Sequence, residues 1–474
     1  MTNYEQSTNP RIRKFTNRKP MTPRTTTAST PRSQMRYMII TSLVAALGGF
    51  LFGYDTAVIS GAIGFLQERF QLSADLTGWA ASSLLVGCIF GAAGGGPLGD
   101  RFGRRASLMA CAFVFAASGI ASAMAGALAG FAWARFVGGL AIGAASILSP
   151  LYIAEVAPAR YRGRLVALYQ LAIVMGILIV FIVNLLIQRA GNHEWNVSHG
   201  WRWMLASLAV PAVVFGLLLL FVPESPRWLV KRGRDDAALG ILGRMNGAEA
   251  ARAELAAISA SLQAKQGAWG ELFGRACRKP LVIGAMLAIF QQFCGINSIM
   301  YYGPMIFKAT GSSTDSAFVQ TVTVGIINLV FTFVAIALVD KAGRKPLLVA
   351  GSFLQALMLG VVIVASRSGG GGVLLLVGVL GFAAAFSMST GPVVWIIISE
   401  IFPNHLRGRA MAVCTTILWL ACYVVAQTFP RMLASLGPQG AFGVYAAFSL
   451  ACGVFVLTTV RETKGRPLEE IGKS

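Results

Sequence analysis

After residue 37 the chain is a succession of long apolar runs separated by short polar intervals. Twelve runs stand out, at roughly 38–66, 76–98, 106–127, 129–154, 164–187, 201–222, 280–306, 317–339, 346–365, 373–401, 410–432 and 440–460. Their lengths suit helices crossing a hydrocarbon core about 30 Å thick, whereas barrel strands would be about ten residues long and strictly alternating. The pattern predicts an all-α membrane protein with twelve transmembrane helices. One long polar interval, 231–279, separates six spans from six. Within it, RDDAALGILGRM and AARAELAAISASLQAKQ carry apolar residues at i, i+3 and i+4 and predict short amphipathic helices on the membrane surface. The expected division is a disordered basic tail at 1–36, a six-helix half at 37–230, the helical linker at 231–279, a second six-helix half at 280–460 and a tail at 461–474.

The two halves repeat. DRFGRR at 100–105 recurs as DKAGRK at 340–345, AEVAPARYRGR at 154–164 as SEIFPNHLRGR at 399–409, and PESPR at 223–227 more weakly as RETKG at 461–465. The offsets are 240, 245 and 238 residues, too consistent in order and spacing for chance. Two related six-helix halves predict a transporter with its substrate site between them near the midplane.

Composition sharpens this picture. Charged residues make up 12% of the chain, against roughly 25% in soluble domains. A formal charge of +21 would suggest nucleic acid in a soluble protein, but the positions of the charges argue otherwise. With both termini placed in the cytoplasm, 33 of the 40 Lys and Arg fall in cytoplasmic segments or at their edges; Arg69, Arg135, Arg189, Arg202, Lys308, Arg367 and Arg431 are the rest. This asymmetry is the positive-inside rule, and it predicts a multi-pass protein of the cell inner membrane with no nucleic-acid partner. Residues 1–36 hold many Thr, Ser, Pro and Arg and one acid, Glu5, a composition that predicts disorder. The tail has some likeness to an organelle transit peptide, and a true start at Met21 or Met35 explains it equally well. Six of seven cysteines lie in apolar runs and read as small core residues. His193, His199 and His405 fall in expected loops, too scattered for a metal site, and no cofactor other than a coupling proton is indicated.

Four motifs carry a resemblance to the sugar porter family of the major facilitator superfamily, closest to its bacterial sugar/proton symporters, over about residues 40 to 470. They are GPLGDRFGRR at 96–105, PESPRWL at 223–229, QQFCGINSIMYY at 291–302 and GPVVWIIISEIFP at 391–403. The resemblance implies the major facilitator fold, with a central cavity between the halves. It also implies that Asp100, Arg101, Arg104, Glu155, Arg162, Glu224, Arg227, Asp340, Arg344, Glu400 and Arg407 form a cytoplasmic salt-bridge network linking the halves in the outward-facing state. Topology signals and solvated loop ends, with glycines permitting the tight turns, are the alternative reading of these residues.

Among 19 acids, Asp55 alone lies deep in a span, and Arg135 is the one basic residue set into a span at depth. An acid at a helix centre costs about 2.5–3.5 kcal/mol on insertion scales and needs a partner or a function. Burial favours its protonated form and a nearby guanidinium its ionised form, so relative motion of the two can load and release a proton. The resemblance implies that this is the coupling pair of proton-linked sugar porters; a structural buried ion pair is the alternative. For a sugar, Gln291, Gln292 and Asn297 flank Gly295, with Tyr301 one turn beyond, a set too polar to face lipid. By motif position the family's sugar contacts carry over to Gln170, Asn328 and Trp395, with Phe52, Phe386 and Trp419 as weaker aromatic candidates. Taken singly, each amide could equally be packing glue between helices. Ile177 stands where some pentose symporters have glutamine, Leu418 and Cys422 where relatives often carry amides, and Arg461 where the family usually has proline.

These features predict proton-coupled symport of a monosaccharide, a pentose, hexose or related polyol, by a protein that works as a monomer. A passive facilitator of the same fold is the first alternative and a sugar sensor the second, although the tail expected beyond the last span is short for a sensor. An enzyme would need a nucleophile and base or a metal cluster, which the sequence does not offer. The terminal GKS lacks the preceding glycine loop of a nucleotide site.

Overall fold

The computed structural model describes residues 31–158, 161–263, 269–367, 372–403 and 406–464. Eleven helical stretches among the described residues are long and apolar enough to cross a membrane. The last, Arg407–Thr459, has 53 residues, roughly 80 Å if straight. It is not straight, because Gly437 leaves helical geometry at φ 66°, ψ 177° and Pro438 follows. The rings of Phe429 and Tyr445 are 6.2 Å apart, possible for residues this distant in sequence only if the chain doubles back. This stretch therefore supplies the eleventh and twelfth spans.

The first five spans are Pro31–Phe70, Ala74–Phe102, Arg104–Met124, Leu128–Val156 and Arg162–Arg189. The sixth, His193–Leu219, opens through a π-helical turn at Asn196–Gly200. The seventh, Cys277–Ala309, breaks at Gly295, and the tenth, Gly372–Glu400, breaks at Ser389. The eighth and ninth are Thr314–Ala342 and Arg344–Arg367. Surface helices Asp235–Asn246 and Ala248–Gln263 lie where the polar interval predicts them.

Three expectations are corrected or fall outside. The first helix begins at Pro31, so residues 31–36 are helical rather than part of the tail; residues 1–30 lie outside the described set. His193 and His199 stand in the opening turns of the sixth span, not in a loop, and the Nε2 of His193 lies 3.0 Å from Glu68. His405, part of the linker at 264–268 and the tail from 465 onward also lie outside the described residues.

Packing repeats between the halves. The first span packs on the fifth, the second on the fourth and the third on the sixth; the eighth packs on the tenth, and the seventh and ninth pack on the long final stretch. Polarity is arranged for lipid outside and polar groups inside: Phe113, Phe221 and Val373 are 75%, 82% and 78% exposed, while Asp55 and Arg135 are 0% and 1%. Between the second and fourth spans the backbones touch. A Cβ on Gly139 would sit 1.9 Å from the Leu84 carbonyl oxygen, and one on Gly87 2.0 Å from that of Phe136. This seam holds Arg135 at the level of the first span's acid.

Candidate functional site

Asp55 and Arg135 meet in the interior of the first half. Arg135 Nη1 bonds Asp55 Oδ1, and Nη2 donates to the Asp55 backbone carbonyl at 3.0 Å. The pairing is one-sided, for Asp55 Oδ2 and Arg135 Nε are both buried without a hydrogen-bond partner among the described residues. A buried carboxylate oxygen left without a partner is costly. Next to Asp55, the Tyr54 hydroxyl ties the first span to the sixth through Ser207 at 2.8 Å.

Four of the predicted amides, Gln291, Gln292, Asn297 and Asn328, lie at or beside the two helix breaks. Gly295 adopts φ +90°, and a Cβ there would stand 2.3 Å from the Tyr445 ring, so geometry and space both require glycine. Asn297 Nδ2 bonds Gln292 Oε1 and lies 3.1 Å from Cys422 Sγ, which is 3.6 Å from the Tyr301 hydroxyl. Gln291 Nε2 donates to the Thr390 and Gly391 carbonyls at 3.0 and 2.9 Å, clasping the break of the tenth span. Gln355 of the ninth span supports that break from behind through Thr390 Oγ1 at 2.5 Å. Asn328 accepts from Ser387 at 2.6 Å. Phe52 and Trp419, from opposite halves, hold their rings 5.4 Å apart. Phe386 lies against Gly391, while Gln170 and Trp395 are half-buried and do not join the hydrogen-bonded chain. The sequence marked Cys422 only as a departure and a core residue; the structure makes it a member of the cluster. Nothing in spacing links residue 422 to Asn297, because their contact is tertiary.

The charged motifs build one device twice. In the first half Arg104 grips Glu155 with two bonds of 3.0 Å and Asp100 at 2.9 Å, Lys231 holds the other Asp100 oxygen at 2.9 Å, and Ser225 Oγ donates to Glu155 at 2.5 Å. In the second half Arg344 pairs with Glu400 and Asp340, each at 3.2 Å, and Thr463 Oγ1 donates to Glu400 at 2.5 Å. Glu224 accepts from the backbone N–H groups of Arg104, Arg105 and Ser225, at the start of the third span. Its counterpart Glu462 accepts from Arg344, Lys345, Thr463 and Lys464 at 2.8–3.1 Å, at the start of the ninth. Partial burial works to raise the Glu462 pKa, but the four N–H donors outweigh it and hold the group below the usual carboxylate range. Glu462 was not among the predicted residues, although the 238-residue offset that relates PESPR to RETKG maps Glu224 onto it.

Among the described residues the expected link between halves is not made. The acids of each half are engaged within their own half; Arg101 and Arg162 are exposed, and Arg227 and Arg407 half-buried. Side-chain bonds join the halves at the opposite end, where Ser82 Oγ donates to Gln427 Oε1 at 2.7 Å, Gln427 Nε2 to the Asp75 carbonyl at 3.0 Å, and Arg189 to both oxygens of Asp315 at 2.6 and 2.9 Å. A Cβ on Gly78 would meet the Gln427 carbonyl oxygen at 2.2 Å, so the second and eleventh spans touch backbone to backbone there. The molecule is closed at the end away from its basic loops.

Comparison with known proteins agrees with this geometry. The family profile described as "Sugar (and other) transporter" matches residues 41–474. The arabinose-proton symporter of Bacillus subtilis (strain 168) is 47% identical over 93% of this chain and 95% of its own length. The D-xylose-proton symporter of Escherichia coli (strain K12) is 43% identical over 92% and 95%. A structure of the E. coli xylose transporter XylE, described as partially occluded and inward open, superposes with a TM-score of 0.83 at 41% identity, covering 91% of this chain and all of that one. With its duplicated charge motifs, its paired helix breaks and its match along nearly the whole length, the chain belongs to the sugar transporter family of the major facilitator fold.

Proposed function

We propose that this protein carries a monosaccharide, foremost a pentose, across the cell inner membrane together with a proton. The Asp55–Arg135 pair carries this reading: an acid and a guanidinium fully buried in the first half, joined through one carboxylate oxygen while the other is left unpartnered. Relatives named as arabinose-proton and D-xylose-proton symporters support it. Asp55 is the proton carrier and Arg135 its counter-charge. Sugar hydroxyls bind at Gln291, Gln292, Asn297, Asn328 and Gln170, with Trp395, Phe52, Tyr301, Phe386 and Trp419 supplying apolar faces. Phe52 and Asp55 lie one helical turn apart, so a shift of the first span on sugar contact moves the acid directly.

The basic loops face the cytoplasm, as do both termini. The two six-helix halves at 37–230 and 280–460 rock about the site, the linker at 231–279 joins them, and one chain suffices for transport. The observed conformation is then closed to the outside, and the two charge clusters exchange their internal partners for cross-half ones when the cytoplasmic end closes.

Purified protein in liposomes, challenged with a panel of pentoses, hexoses and polyols with and without an inward proton gradient, tests this reading. Uphill uptake should follow the gradient and collapse with a protonophore. Asp55→Asn should abolish uphill uptake and keep sugar counterflow; full uphill uptake by that variant would refute the coupling role. Uptake that only equilibrates would make the protein a facilitator.

A further inference from the structure

The free oxygen of Asp55 lies beside Gly138, as does the hydroxyl of Ser118. Ser118, on the third span, is 3% exposed, and its hydroxyl donates to the Ala134 carbonyl of the fourth span at 2.9 Å. One turn beyond Ala134 is Gly138, and a Cβ built there would lie 2.3 Å from Ser118 Oγ and 3.6 Å from Asp55 Oδ2. The two oxygens are therefore separated by no more than those two legs laid end to end. Because residue 138 has no side chain, no Cβ crowds the space beside them.

A serine hydroxyl has one proton to give and two lone pairs to receive with. The Ser118 proton is already committed to Ala134, so the capacity left to it is that of an acceptor. A protonated carboxyl has one O–H to donate. We propose that Ser118 is the positioning residue for the transported proton, accepting a hydrogen bond from Asp55 Oδ2–H when the acid is loaded and leaving Oδ2 bare when it is not. The step balances simply: a proton from the outer solution bonds to Oδ2, the carboxylate becomes neutral, and Ser118 neither gains nor loses a proton. The arrangement also separates two functions in space, with Arg135 holding Oδ1 and Ser118 serving Oδ2 from another helix. Among the described residues, the charged or titratable groups in electrostatic reach of Asp55 are Arg135 on the fourth span and the Cys88 thiol on the second, with Cys422 and Tyr301 of the other half next in reach of Cys88. The inference rests on the reading of Asp55 as the proton carrier.

The test is the pH profile of gradient-driven sugar uptake in liposomes, read beside counterflow, which needs no net proton movement. An acceptor for the neutral acid extends uptake to higher pH. Ser118→Ala should therefore pull the alkaline limb of the profile down by about half to one pH unit while counterflow stays at the parent rate, and Ser118→Thr should restore the parent profile. If Ser118→Ala fails to reach the membrane, Ser118→Cys, a weaker acceptor of similar volume, should shift the limb in the same direction. An unchanged alkaline limb in a folded Ser118→Ala or Ser118→Cys protein overturns the proposal. Asp55→Asn run in parallel distinguishes the failures: if it abolishes uphill uptake while the serine variants shift nothing, the acid keeps its role and Ser118 loses the one proposed here.

Discussion

Gln427 is the place to perturb the closed end. Its Oε1 accepts from Ser82, whose residue is fully buried, and its Nε2 donates to the Asp75 carbonyl near the surface. Gln427→Leu removes both bonds and strands the Ser82 hydroxyl. A buried unsatisfied polar group costs about 1–3 kcal/mol, and in the opposite conformation water reaches that hydroxyl, so the cost falls on the closed state alone. The exposed Arg431–Asp75 pair at 3.7 Å adds nothing reliable. The equilibrium should move toward opening at this end by about 5- to 150-fold, at 1.4 kcal/mol per tenfold. Ser82→Ala should shift it less, because the half-exposed glutamine can turn to solvent. The double variant should shift it by less than the two singles combined, the mark of a direct contact. Spin labels at the exposed positions Leu76 and Leu436 report the opening by electron–electron distance measurement. A Gln427→Leu protein whose distance distribution matches the parent would refute the assignment of this contact as a tie between the halves.

Two further predictions concern the duplicated charge device. Gly343 sits at φ +92°, and a Cβ there would lie 2.7 Å from Glu462 Oε2, so Gly343→Ala should incur the left-handed penalty of about 1–2 kcal/mol and disturb the carboxylate cap. Its melting temperature in detergent should drop by several degrees, as should that of Gly103→Ala, whose Cβ would lie 2.3 Å from Glu224; Gly163→Ala, with open space around it, is the control, and equal melting of all three would sink the argument. Because the folded pKa of Glu462 is held below its unfolded value, the stability it contributes is present above roughly pH 4.5 and is lost as pH falls through the folded value. A melting-temperature profile should therefore fall on the acid side, and Glu462→Gln should flatten part of that fall; parallel curves would show that the cap carries no linkage.

The architecture was legible in the chain because lipid demands long apolar helices and the duplication left dated copies of its motifs. Hydropathy located the spans, and the 240-residue offset related Arg104 to Arg344 before any coordinates. What stayed hidden was set by contacts between spans distant in sequence. Cys422 reads as a small core residue until Asn297 and Tyr301 are seen beside it, and Ser82 and Gln427 carry no motif at all. Ser389 leaves the helix in a run with no warning except the following Gly-Pro. The motifs mark Arg104 with Glu155 and Arg344 with Glu400 as related charges, but that each pair closes within its own half is a tertiary fact that no residue pattern encodes.

The clasp of Gln291 on Thr390 and Gly391 gives the tenth span a stake in occupancy. In this state both amide hydrogens of that glutamine are spent on backbone carbonyls at the break. Under the proposed function, a sugar hydroxyl that takes one of them must outcompete the hinge, and each hydrogen bond it wins leaves the lower part of the span freer to swing. Part of the gross attraction for the ligand is thus converted into bending rather than affinity. A tightly bound, motionless sugar would be the sign of a carrier that had lost this exchange.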